Sequence, residues 1–299
     1  MIKIYKNAKQ FLAEAQENLL KRESVSQLIL ANALWNGEAP CTAELMFGTV
    51  WKGEKMILAF CNCKPWNLII HAIDANKMDS KEGQLMQQIV KEAVKELTLW
   101  LKENQIPLRG LNANGFLSEQ FVINYFKEPD EARKNHSMDI MECRKLKEIP
   151  LAEGIYRTAD TDDTDWVLMG CVNFHKEALG QDCDPESLRE DIEKVQIGEK
   201  TLRILTLPDG TPVCMAKRTR KLINGIIISQ VYTLPQYRGR GYAQTLIYKM
   251  CEEFFKEGFQ FAALFVDKNN PISNHVYQKA GFEIIEDNYD YRFDGGKER

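Results

Sequence analysis

The sequence predicts an α+β fold in two domains, with strands and helices following the same order in each. Three observations carry this. The 299 residues are 44% hydrophobic and 27% charged, the balance of a globular chain long enough for two cores of ordinary size. Strand-length runs rich in β-branched residues alternate with apolar stripes at helical spacing. The order helices, meander, helix, strand, helix, strand is met once before Pro150 and again after it.

In the first half, residues 1 to about 35 read as helical. Phe11, Leu12, Ala15, Leu19 and Leu20 form one stripe, and Val25, Leu28, Ile29, Ala31 and Leu34 continue after Glu23-Ser24. Strand-like runs follow at 43–51, 55–61 and 66–73, the first two joined by a turn at Lys52-Gly53-Glu54. The loop 74–83 has a single glycine and no Gly-x-Gly. Leu85, Ile89, Ala93, Leu97 and Trp100 then mark one face of a long helix. A strand near 108–111, a helix holding Phe121, Val122 and Tyr125, and a strand at 137–143 complete this half. Pro150 breaks the local pattern, so the predicted domains are 1–149 and 150–299.

In the second half, Ile155–Thr158 is the first strand. The acidic, Thr-rich stretch 160–165 caps a helix bearing Trp166, Leu168, Met169, Val172 and Phe174, and Pro185 opens another through Leu188 and Ile192. Strands at 202–206 and 213–216 bracket Pro208-Asp209-Gly210-Thr211, a hairpin signal. Arg218-Thr219-Arg220-Lys221 is expected as a basic turn. A strand at 226–234 leads into the turn Gln236–Ala243. Leu246, Ile247, Met250, Cys251, Phe254 and Phe255 then recur at helical spacing, with Gly258 past the end. Residues 261–266 read as a buried strand and 267–271 as a loop; Asn270 caps the next helix and Pro271 opens it. Two short strands, 283–286 and 289–293, close the sheet, and the tail from Asp294 is expected to fray.

Several function classes are excluded. The net charge of −4, with no long run of one sign, argues against a nucleic-acid surface. No apolar stretch approaches the ~18 residues of a membrane span, and Met1–Lys9 lacks the apolar core of a signal peptide. The 8 cysteines are scattered, and only Cys61 and Cys63 are close. Their Cys-x-Cys spacing lacks the two-residue spacer usual at zinc sites, whereas alternate residues of a strand share a face as buried thiols. No metal is expected. The plain expectation is a reduced, cytoplasmic protein.

The chemistry concentrates at the turn after 226–234. A strand, glycine-containing turn and helix leave the first helical N–H groups unpaired above the strand end, which suits a phosphate. Gly239 and Gly241 remove side chains that would hold a ligand off the backbone, and Arg238 and Arg240 add positive charge. A nucleoside-triphosphate loop needs Gly-Lys-Ser/Thr, but Gly241 is followed by Tyr242-Ala243. A dinucleotide fingerprint needs Gly or Ala where Gln244 stands. Both readings fail.

The pattern Gln236-x-x-Gly239-x-Gly241 resembles the acyl-CoA loop of the GNAT superfamily of N-acetyltransferases. A second match follows in order: Asn270, Ser273, Tyr277, Gly281 and Phe282 fit the superfamily's Asn-x-x-Ala/Ser-x-x-x-Tyr-x-x-x-Gly-Phe without gaps. The resemblance implies a mixed central sheet flanked by helices in the C-terminal half. It also implies direct acetyl transfer from acetyl-CoA to a primary amine of a small molecule or protein. The backbone of Arg238, Gly239, Arg240, Gly241, Tyr242 and Ala243 would wrap the pyrophosphate, and the main chain of Val231, Tyr232 and Thr233 would pair with the pantetheine arm. Gln236, Asn270 and Ser273 complete the cofactor set. The N-terminal half, which lacks the glycine loop, is expected to be a degenerate copy of the same fold without a cofactor.

Within that resemblance Tyr277 is the candidate catalytic residue. A phenol near pKa ~10 can support a leaving thiolate near ~8.5 without ionising itself. The competing reading is a tyrosine packed beside Val276 and Ala280 on an amphipathic helix. No general base is assigned. Many members carry a carboxylate on the central strand, but Ser229, Gln230, Tyr232 and Thr233 are the polar side chains here. His175 reads more simply as a surface group, and Glu286, Asp287 and Asp290 are no better placed. Two other readings remain: an inactive acyl-CoA sensor, and a tandem member that uses aminoacyl-tRNA or builds thiol conjugates. The mildly acidic charge opposes tRNA. The first half would serve either to shape the acceptor pocket or to form a homodimer.

Overall fold

The computed structural model describes residues 1–73 and 81–293. The chain forms two compact units. The first comprises Met1–Ile140, Asp267–Asn269 and the segment from Ile285; the second comprises Met141–Val266 and Asn270–Ile284. The units therefore do not follow a cut at Pro150. Residues 141–149 group with the second unit, and the last strand returns to the first. A pattern read along the chain is blind to such a return, because strand pairing is non-local.

The first unit runs β1 (Ile2–Ile4), α1 (Ala8–Leu20), α2 (Glu23–Asn36), β2 (Leu45–Lys52), β3 (Lys55–Cys63), β4 (Leu68–Ala72), α3 (Lys81–Glu103), β5 (Gly110–Ala113), α4 (Gly115–Tyr125) and β6 (Arg133–Cys143). Asn7 starts α1 by accepting from the Gln10 amide at 2.9 Å. Strands β1 to β4 pair antiparallel, and β4 pairs parallel with β5. Val90, Ala93, Val94, Leu97 and Leu101 of α3 bury against Leu58, Phe60, Leu68, Ile70 and Leu111. Of the stripe read from the sequence, Ala93 and Leu97 are buried, Ile89 and Trp100 are half-buried and Leu85 is exposed, so the face that packs is turned toward Val90, Val94 and Leu101. The expected loop 74–83 lies mostly outside the described residues, as does the tail from Asp294.

The second unit contains β7 (Ile155–Thr158), α5 (Thr164–Phe174), α6 (Pro185–Asp191), β8 (Leu202–Thr206), β9 (Pro212–Lys221), β10 (Gly225–Thr233), α7 (Tyr242–Lys256), β11 (Phe261–Asp267) and α8 (Pro271–Ala280). Strands β7 to β10 pair antiparallel and β10 pairs parallel with β11, so the sheet is mixed. The expected stripe of α7 is buried at Leu246, Ile247, Met250, Cys251 and Phe254, in one cluster with Ile226, Ile228, Ala262 and Leu264. Both units repeat one succession: strand, two helices, three antiparallel strands, helix, parallel strand, helix. The expected duplication is thus present in the fold.

Four local expectations are corrected. The chain does not begin as a helix: Ile2–Ile4 is a strand paired with Gly48–Val50, too short to show a period. Arg218–Lys221 is no turn but the end of β9, with Arg218 opposite Ile228 and Lys221 opposite Ile226. Its charge is met by α7, where Arg218 makes two 2.9 Å bonds to Glu257. Residues 283–293 form one strand, β12 (Glu283–Arg292), instead of two. The polar residues that imitate a turn there are satisfied within the first unit. Glu286 accepts from Arg22 at 2.8 Å, and Asp287 accepts from the Gly115 amide at 3.1 Å. Finally, α5 and α6 each continue as a π-helical turn, over His175–Leu179 and Ile192–Ile197.

Candidate functional site

Strands β10 and β11 hold together only at their start. Their paired positions are Gly225, Ile226 and Ile227 with Phe261, Ala262 and Ala263. Beyond Ile227 a bulge falls between Ser229 and Tyr232 in the pairing with β9, and Gln230 adopts a left-handed φ of 50°. A non-glycine residue in that region is a strained position that the surrounding structure must enforce. The result is a strand end whose main chain, from Ser229 to Thr233, has no register partner on β11. Gln230 also carries a buried Oε1 without a hydrogen-bond partner. Nothing in the sequence signals this bulge.

The turn after β10 begins with Pro235–Tyr237 as one 3₁₀ turn and reaches α7 through Gly239 and Gly241. Both glycines are left-handed, at φ 76° and 82°. A Cβ on Gly239 would meet nothing within 4 Å, and one on Gly241 only the Ala152 Cβ at 3.7 Å. Backbone conformation therefore requires glycine here, and the space beside the turn stays open. Gly241 sits at the N-cap of α7 and no side chain caps the helix. The first amides of α7 consequently face outward with no helical acceptor, at the positive end of a 15-residue helix.

Gln236, Arg238, Gly239, Arg240 and Gly241 are exposed, while Tyr242 and Ala243 are half-buried against the core of the unit. Arg240 lies 5.7 Å from the Tyr237 ring. Arg238 turns back instead. Its Nε donates to the Thr233 carbonyl at 2.9 Å and its Nη2 to Glu177 Oε2 at 2.7 Å, with the guanidinium 5.3 Å from the Tyr232 ring centre. The Tyr232 hydroxyl donates to Glu177 Oε1 at 3.0 Å. Burial, followed by this carboxylate, raises the pKa of Tyr232. Glu177 belongs to the π-helical turn after α5 and was not singled out from the sequence, which offers no periodicity for such a turn.

Asn270 accepts from the Ser273 amide at 3.0 Å and so starts α8 as expected. Tyr277, one turn on, is 7% exposed and lies in the same cluster as Leu246 and Cys214, its ring 5.9 Å from Phe282. Burial first, and Cys214 second, push its phenol well above the ordinary value. Cys214 also accepts from the Thr233 hydroxyl at 3.1 Å, at the end of β10. His175 is half-buried, with its pKa lowered by that burial, and meets Phe174 edge-on at 6.1 Å. Glu286, Asp287 and Asp290 belong to the first unit. Among the described residues, no group of three or more His, Cys, Asp or Glu side chains could hold a metal ion. Cys61 and Cys63 are free and buried on β3.

Residues 202–282 match the acetyltransferase (GNAT) family. The match spans β8 to Phe282 and takes in the strand end, the glycine turn and Tyr277. The second unit carries a GNAT acetyltransferase domain. No curated protein matches the chain. Among solved structures, a Drosophila protein aligns with a TM-score of 0.59 at 12% identity, covering 99% of either chain. A GCN5-related N-acetyltransferase from Sphaerobacter thermophilus gives 0.57 at 14%, covering 97% of this chain and 95% of its own. A GNAT-family acetyltransferase from Colwellia psychrerythraea gives 0.54 at 12%, covering 98% and 100%. At such identities the likeness is one of fold. The GNAT fold accounts for the mixed sheet and for the parallel pair β10–β11. No helix among the described residues is long and apolar enough to cross a membrane.

Proposed function

We propose that the GNAT domain binds acetyl-CoA at the open end of β10 and transfers the acetyl group directly to a primary amine of a small molecule or protein. The observation that carries this reading is the pair of left-handed glycines, 239 and 241, that deliver the free amides of α7 beside a strand end without a register partner on its β11 side. When bound, acetyl-CoA supplies an activated thioester. The amides from Arg238 to Ala243 hold the pyrophosphate, with Arg240 adding positive charge and Gln236 bordering the turn. The main chain of Val231, Tyr232 and Thr233 offers hydrogen-bonding groups to the pantetheine arm, as a strand would to a neighbour. Asn270 and Ser273 fix the start of α8, which in turn fixes Tyr277.

Tyr277 gives a hydrogen bond or its proton to the departing sulfur. Its raised pKa keeps the phenol protonated at neutral pH, as a donor requires. The acceptor must be a neutral amine when it attacks. The free, mostly buried cysteines fit a reducing cytoplasm. With Gly-x-Gly present once in the sequence, one cofactor site per chain follows.

Thiol release from acetyl-CoA across a panel of primary amines tests the reading. Amine-dependent release of coenzyme A is expected. Binding of acetyl-CoA with no release for any amine would point instead to a sensor.

A further inference from the structure

We propose that Glu177 and the Tyr232 ring form a seat for a cationic group of the acceptor, and that Arg238, held also by the Thr233 carbonyl, fills this seat in the free protein. The inference rests on the acetyl-CoA reading of the same domain. Three different groups converge on one guanidinium: a carboxylate at 2.7 Å, a backbone carbonyl at 2.9 Å and an aromatic face at 5.3 Å. Carboxylate, carbonyl and π-face are the three kinds of surface that favour an organic cation. The Tyr232 hydroxyl holds the carboxylate from its other side, at 3.0 Å, so Glu177 stays in place whether or not Arg238 does. The protein's own arginine thus acts as a stand-in ligand.

Arg238 also belongs to the turn that faces the pyrophosphate, directly before Gly239. A diphosphate is a stronger partner for a guanidinium than one carboxylate that is 45% exposed. The Thr233 carbonyl is, besides, among the main-chain groups offered to the pantetheine arm. Cofactor therefore competes with Arg238's present position at both ends. Once Arg238 moves to the phosphates, Glu177 and the Tyr232 ring are left beside the pantetheine-binding stretch of β10 without that counter-cation. The acceptor class that fits is an amine carrying a second, permanent cation, a guanidinium, which can meet the carboxylate and the ring face as Arg238 does.

A different role is a fixed strut: Arg238 would simply tie the 3₁₀ turn to the strand. The two roles give opposite signs. Coenzyme A binding is measured by calorimetry on the full-length wild type and on Glu177→Gln, which keeps an acceptor for Tyr232 but loses the charge. Agmatine, which bears one guanidinium and one primary amine, is then titrated into each coenzyme A complex, with butylamine as the control. The seat predicts that E177Q binds coenzyme A about two- to fivefold more tightly, since a surface ion pair no longer opposes it. It also predicts that agmatine binds the wild-type complex about tenfold or more tightly than the E177Q complex, with butylamine indifferent to the change. Equal or weaker coenzyme A binding by E177Q overturns the proposal in favour of the strut. So does agmatine that binds both complexes alike, or neither. Failure of the wild type to bind coenzyme A would overturn the cofactor reading beneath it.

Discussion

Replacing Tyr277 with Phe separates the two things this side chain does. Its ring is 7% exposed, sits in the central cluster and leans on Phe282 at 5.9 Å. Phenylalanine keeps that packing, and the hydroxyl it removes has no hydrogen bond to lose among the described residues, so the variant should keep its stability to within about 1 kcal/mol. What disappears is a buried phenol in the cluster that also holds Cys214. Burial, with Cys214 adding to it, holds the phenol above its usual pKa, so the wild type keeps its proton through neutral and mildly alkaline pH. If that proton or hydrogen bond supports the leaving thiolate, its loss should cost about a hundredfold in kcat, roughly 2.7 kcal/mol of barrier. Thiol-release kinetics across that pH range give kcat, calorimetry gives the coenzyme A affinity, and urea unfolding gives the stability. The expected pattern is a large fall in kcat with affinity and stability almost unchanged. Wild-type turnover at every pH would refute the role and leave Tyr277 as a packing residue.

Gly241→Ala places a side chain at φ 82° with nothing closer than 3.7 Å, so backbone strain alone should cost about 1–2 kcal/mol in urea unfolding. Coenzyme A affinity should fall as well, because the strain is relieved by moving the amides of α7; undiminished affinity would remove those amides from the site. Gly281→Ala combines φ 113° with a Cβ 2.5 Å from the Lys145 carbonyl, and should destabilise by about 3 kcal/mol. Arg203, 8% exposed, donates its Nε to Glu253 at 2.9 Å, and Tyr156 donates to the same carboxylate. Glu253→Ala leaves that arginine buried without its partner, at a cost of about 3 kcal/mol, the low end for a pair whose acid is 24% exposed. Burial alone would raise the pKa of Glu253, but the bonds from Arg203 and Tyr156 outweigh it and the net shift is downward. A lowered carboxylate pKa contributes stability above the unfolded value, which is lost as pH falls through the folded value. Acid unfolding of the wild type should therefore steepen below the ordinary carboxylate range, and Glu253→Gln should flatten that slope.

Much of the fold was legible because it is written in local patterns. The α7 stripe, Asn270 as a cap and the paired glycines all express short-range rules and lie where those rules put them, whereas the α3 helix packs on a face rotated from the stripe its period suggests. The losses have equally specific causes. Ile2–Ile4 is too short to show alternation, and Arg218–Lys221 imitates a turn because the partners of Arg218, Glu253 and Glu257, lie 35 and 39 residues away. Glu286, Asp287 and Asn288 look like a break in a strand until Arg22 and Gly115 are seen to donate to the two acids and Asn112 to accept from the Asn288 amide. At the site, the glycine turn is legible as strand, turn and helix, whereas Tyr277 stands out only through its register in the GNAT-like motif. The bulge at Gln230 and the contact of Glu177 with Tyr232 and Arg238 depend on tertiary pairing, and no sequence spacing encodes them.

Calorimetric titration of coenzyme A into the chain, with and without Gly241→Ala, asks whether the glycine turn of the second unit holds one acyl-CoA. One molecule bound per chain is expected, with the affinity weakened by the substitution. No binding, or two molecules per chain, would contradict it.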